Sequence, residues 1–109
     1  MATLSAQAIP VTGFTPSFAA AAGGGDAANP NPRQFLRVKN ASGGAITLTL
    51  IDPGLSRTGQ ANPDPAINIP STTGDVLIYL PPEIADPATG LISWTYSGVT
   101  SLTVALLTL

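Results

Sequence analysis

The side chains best able to do chemistry are a scatter of carboxylates, Asp52, Asp64, Asp75, Glu83 and Asp86, and an aromatic pair, Trp94 and Tyr96. Two carboxylates held close together could work as a general acid and base, and several together could hold calcium. Asp52, Asp64 and Asp86 each stand directly before a proline, however. There the side chain bonds to nearby backbone while the proline fixes φ, so turn formation accounts for them. No DxDxDG spacing supports a calcium loop. The 109 residues include no histidine and no cysteine, which removes the usual base near neutral pH and the best transition-metal ligands. Neither a Ser–His–Asp nor a Cys–His arrangement can be assembled. The expectation is a protein that is not an enzyme and has no catalytic, cofactor or metal site.

Other motifs reduce to local structure. Gly23, Gly24 and Gly25 lack the following Lys-Ser/Thr of a phosphate loop. Asn40-Ala41-Ser42 matches a glycosylation sequon but falls in a predicted turn. Trp94 and Tyr96 lie two apart, so on a strand they share a face. That spacing suits a sugar-stacking platform or a core, and the scarcity of aromatics (six in the chain) favours core.

The elements that would position these residues are strands. In FLRVKNASGGAITLTLI, residues 35–51, Leu36 and Val38 alternate with Arg37 and Lys39. After a Ser-Gly-Gly break, Ile46, Leu48 and Leu50 alternate with Thr47 and Thr49. A period of two predicts a β-hairpin of residues 35–40 and 45–51. Further strands are predicted at residues 4–11, 66–69, 75–80, 91–96 and 101–109. The inward sets are Val76, Ile78 and Leu80, then Ile92, Trp94 and Tyr96, then Leu102, Val104 and Leu106. A single helical turn fits between Pro82 and Asp86. About seven short strands without a sustained helix predict an all-β, single-domain, antiparallel sandwich of jelly-roll type. Residues 34–109 form its core, and residues 1–33 supply an initial strand and a long irregular arm.

Charge narrows the partners. Four basic and six acidic residues give a net charge of −2, against the basic patch that nucleic-acid binding requires. Arg33, Arg37 and Lys39 cluster, which reads as a solvated strand edge that resists aggregation or as a contact for an acidic partner. Every apolar run is broken well short of about 20 residues, so no membrane span is expected. No secretory leader is visible, and a soluble intracellular product is the expectation.

One resemblance covers nearly the whole chain. Thr-Pro-Ser-Phe-Ala-Ala at 15–20, Phe-Leu-Arg-Val-Lys-Asn at 35–40, Pro-Pro-Glu at 81–83 and Tyr-Ser-Gly-Val-Thr-Ser at 96–101 occur in that order. The sequence resembles small capsid-associated decoration, or cement, proteins of tailed bacteriophages. It departs from them in a longer link after the first hairpin, residues 55–65. The resemblance implies a virion protein, made in the bacterial host cytoplasm, that sits on the capsid surface and binds and bridges major capsid protein subunits. It implies a homo-oligomer, with a trimer favoured. Contacts are then expected from the arm (Phe14, Phe18, Asp26), the long loop (Leu55, Arg57, Asn62) and the turn at Pro82 and Glu83. A tail or fibre adaptor and a carbohydrate-binding sandwich module are the alternatives.

Overall fold

The computed structural model describes residues 2–109, and these are almost entirely β. In chain order the strands are β1 (Ala2–Leu4), β2 (Gln7–Ala8), β3 (Ala19–Ala20), β4 (Asp26–Ala28), β5 (Gln34–Asn40), β6 (Ile46–Leu50), β7 (Ala66–Ile69), β8 (Gly74–Tyr79), β9 (Ile92–Tyr96) and β10 (Leu102–Thr108). One 3-10 turn, Pro82–Ile84, separates β8 from β9, where a helical turn is expected from the prolines. One sheet has the order β1-β4-β9-β6-β7. The other runs β2-β10-β5-β8, with β3 beside β2 along the same edge of β10.

The pairing is nested. β6 pairs with β7, β5 with β8, β4 with β9 and β3 with β10, and each pair lies in the opposite sheet from the one before. All of these ladders are antiparallel. Two parallel ladders, β1 on β4 and β2 on β10, make the sheets mixed rather than wholly antiparallel. The N-terminal segment enters in the same direction as the edge strands it joins, so it can only add parallel.

The alternation in the sequence locates the core. Leu36, Val38, Ile78, Leu80, Leu102, Val104 and Leu106 form one buried cluster with Ala28, Ile46, Leu48, Leu50, Ile69, Ile92 and Trp94 of the other sheet. Burying each large member contributes about 1.5–3 kcal/mol. Trp94 is fully buried, which matches the core reading of the aromatic pair.

Three expectations are corrected. Residues 35–40 and 45–51 do not form a hairpin: β5 and β6 lie in different sheets, and the Ser-Gly-Gly segment arches between them. The arch is held by the buried Asn40, whose amide donates to the Gly44 and Ile69 carbonyls (3.0 and 3.3 Å). Its Oδ1 accepts from the backbone and hydroxyl of Ser42 (3.0 and 2.6 Å). The single strand expected at residues 4–11 is instead β1 and β2 on two different sheets, because Ser5 and Ala6 cross between them. The irregular arm contains β3 and β4, and all three residues of β4 are buried.

Candidate functional site

The strand registers sort the connections into two ends. At one end Asn40, Gly74 and Leu102 are aligned across one sheet, and Ile46 and Ile69 across the other. Three short arches close this end and are stitched together. Ala41 N–H donates to the Ser101 carbonyl (3.0 Å), Thr72 N–H to Ser42 (2.8 Å) and Ser97 N–H to Thr47 (2.9 Å). Thr72 and Ser101 take positive φ, 67° and 51°, within these turns.

The opposite end carries every long excursion. There the register aligns Gln34, Phe35, Tyr79, Leu107, Thr108 and β2 in one sheet, and Leu4, Ala28 and Ile92 in the other. From it emerge the segment between β6 and β7, the segment with the 3-10 turn, the loop after β2, and the C-terminal Leu109.

The first of these continues the β6–β7 pair as a self-bonded tongue. Leu50 N–H donates to Pro65, Asn62 N–H to Gly54, and Ser56 N–H to Gln60 (2.9, 3.1 and 2.7 Å), with Leu55 bridged to Ala61. Asp64 Oδ1 accepts from Asp52 N–H, and Asp52 Oδ1 from Gly54 N–H, both at 2.9 Å. The pre-proline aspartates therefore serve as turn residues, as does Asp86, whose Oδ1 accepts from Ala88 N–H (2.9 Å). Leu55 is 66% exposed and Arg57 is exposed near the tip, while Asn62 is half-buried at the base. Pro82 is half-buried and Glu83 exposed on the neighbouring turn.

The loop after β2 is clamped at its neck. Gln7 Nε2 donates to the Ser17 carbonyl (2.8 Å) and its Oε1 accepts from Ser17 N–H (2.9 Å), so one side chain imitates a strand partner. Beyond this clip Ile9, Val11 and Phe14 are all exposed. No charged residue occurs before Asp26, so the loop is a neutral, apolar projection. Gln7 carries no motif and was invisible as a site residue from sequence; only its long-range pairing reveals it.

Two expected contact residues are occupied internally. Phe18 lies beneath the cations of β5: Lys39 Nζ is 4.6 Å and the Arg37 guanidinium 5.7 Å from its ring centroid. It fastens the arm to the outer face of the sheet. β5 is flanked by β10 and β8, so Arg37 and Lys39 lie on the face of an interior strand and not at an edge. Arg37 also forks onto Asp75 through Nε (3.0 Å) and Nη2 (2.7 Å). That hydrogen bond holds the Asp75 carboxyl below the usual carboxylate range.

Asp26 is 1% exposed and is corrected from contact residue to core polar anchor. Its Oδ2 accepts from Tyr96 O–H (2.6 Å) and Ala22 N–H (3.3 Å), and its Oδ1 from Ala2 N–H (3.3 Å). Trp94 Nε1–H donates to Tyr96 Oη at 2.8 Å. Burial, reinforced by the bond to Asp26, pushes the Tyr96 hydroxyl well above the ordinary tyrosine range; the bond from Trp94 works against it. With Trp94 enclosed and Tyr96 engaged here, no open aromatic platform exists at this pair.

One end of the two-sheet scaffold therefore gathers a self-bonded tongue, a proline-framed turn and a clipped apolar loop. Comparison with protein-family models, curated proteins and solved structures found no match.

Proposed function

We propose that this protein is a capsid decoration protein of a tailed bacteriophage, which attaches to the outer surface of the shell and bridges major capsid protein subunits. The observation that carries this reading is the gathering of the tongue, the Pro82–Ile84 turn and the Ile9–Val11–Phe14 loop on one end of the molecule. A stiff loop loses little entropy on docking, and an apolar, uncharged projection suits an apolar recess on a partner. We also read the fold as a jelly-roll sandwich. The nested pairing in alternate sheets is what a long hairpin gives when it is rolled up, and this architecture serves viral capsid and lectin domains. Fold alone does not decide function; the sequence resemblance and the docking end point to the same role.

A carbohydrate-binding module at Trp94 and Tyr96 lacks support, since stacking needs an open ring face and Trp94 is fully buried. A tail or fibre adaptor would share the scaffold and differ in location, so separated head and tail fractions discriminate it. The direct test is to mix purified protein with shells that lack it and measure co-sedimentation. Saturable binding that raises the heat resistance of the shell is expected. Failure to bind intact shells overturns the reading.

A further inference from the structure

Asp26 is a buried carboxylate with no side-chain counter-ion among the described residues. It is 1% exposed, and the one ion pair among those residues is Arg37 with Asp75, on the other sheet. The donors to Asp26, Tyr96 O–H, Ala22 N–H and Ala2 N–H, are all neutral. Taking a carboxylate out of water without a counter-charge is costly. Tyr96 and Ala22 occupy Oδ2, while Oδ1 accepts from the Ala2 backbone at 3.3 Å. Ala2 is the first residue of β1, lies beside Asp26 in the parallel β1–β4 ladder, and is itself exposed.

The Ala2 nitrogen is therefore placed to supply the missing charge. While Ala2 follows Met1, that nitrogen is a neutral amide. Hydrolysis of the Met1–Ala2 bond changes it. Water adds to the Met1 carbonyl, the C–N bond breaks, methionine leaves with its carboxylate, and the Ala2 nitrogen takes up a proton. An α-amine has a pKa of about 7.7–8.0 and is mostly ionised at neutral pH. Aminopeptidases that remove methionine act where the next residue is small, and alanine meets that requirement.

From this geometry we infer that the working form of the protein begins at Ala2, whose α-ammonium forms an ion pair with Asp26. One N–H of the ammonium keeps the bond to Oδ1, and the exposure of Ala2 leaves the other two to solvent. A charged donor bonds a carboxylate about twice as strongly as a neutral one. The pair fastens β1 to β4 by charge as well as by the ladder. Through Tyr96 and Trp94 it also ties the first residue to the core. Loss of one residue thus turns an uncompensated buried charge into a lock on the N-terminal strand. The inference does not depend on the capsid role.

The test compares three forms that share every residue from Ala2 onward. One begins at Ala2, one has that amine acetylated, and one retains Met1 after release from a fusion cleaved before it. Acetylation keeps the Ala2 N–H and removes only its charge. The form beginning at Ala2 is expected to unfold at a higher denaturant concentration than the other two, which should match each other. Asp26→Asn should erase the difference. Should that variant fail to fold, the amine of the wild type gives an independent readout. An ion pair that raises its pKa by one unit lowers the reactive, unprotonated fraction at neutral pH about tenfold. Acylation of Ala2 should then be about tenfold slower in the folded protein than in urea. Intact mass spectrometry of protein expressed from Met1 in bacteria should show loss of that methionine. Retention of Met1, equal stability of the three forms, or an amine that reacts equally fast folded and unfolded overturns the inference.

Discussion

Asp26, Tyr96 and Trp94 show how one polar chain can organise a core. A buried carboxylate without partners is costly, yet here it accepts from Tyr96, Ala22 and Ala2 and so ties three segments together. Tyr96→Phe leaves Asp26 short of its closest donor, and a loss of about 1–3 kcal/mol in denaturant unfolding is expected. The hydroxyl pKa is raised in the folded state, so this contribution is fully present below the unfolded tyrosine value of about 10 and fades as pH rises beyond it. Fluorescence of the single tryptophan, recorded during unfolding at successive alkaline pH values, should show that decline in the wild type. The decline should be shallower in Tyr96→Phe. Gly25 is another sensitive position. Its φ is +94°, and a Cβ there would run into the Trp94 carbonyl. Gly25→Ala is expected to cost about 2–4 kcal/mol in the same assay.

The sequence conveyed the faces of the strands better than their partners. Leu36, Val38, Ile46, Leu48 and Leu50 were read as inward-facing, and all are buried. Period-two alternation reports which side a residue faces and says nothing about the strand across from it. The Ser-Gly-Gly segment, read as a hairpin turn, is therefore an arch. The signal for that lies in Asn40, whose bond to Ile69 reaches into the other sheet. β3 and β4 were missed because two or three small residues carry no periodicity, and Asp26 was therefore placed in an irregular arm as a contact residue. Of the elements proposed to dock, the tongue and the Pro82 turn were legible through their prolines. The Gln7 clip was not, since its partner Ser17 is chosen only by the folded path. Gln7→Ala is expected to open the loop while barely moving the melting temperature. Limited proteolysis should then cut within residues 9–17 several times faster than in the wild type.

At the scale of the whole molecule, the N-terminal third is part of the fold and not a detachable arm. Deleting residues 1–17 removes β1 and β2, exposing strand edges and taking Ala2 from Asp26 but keeping its bonds from Tyr96 and Ala22. A cooperative transition at lower temperature is expected by circular dichroism. Deleting residues 1–33 also removes β3 and β4, stripping β9 of a neighbour and Tyr96 of its acceptor. That chain is expected not to unfold cooperatively at all. The proposed function therefore implies a division of labour: a stitched end and a buried core supply rigidity, and the other end would supply contact. Cryo-electron microscopy of the intact phage particle proposed to carry this protein tests that division most directly. The account predicts density for the two-sheet domain on the outside of the shell, with the tongue, the Pro82–Ile84 turn and the loop carrying Val11 and Phe14 turned toward the capsid subunits. Density seated instead on the stitched end, or a shell with no density for this chain, would contradict it.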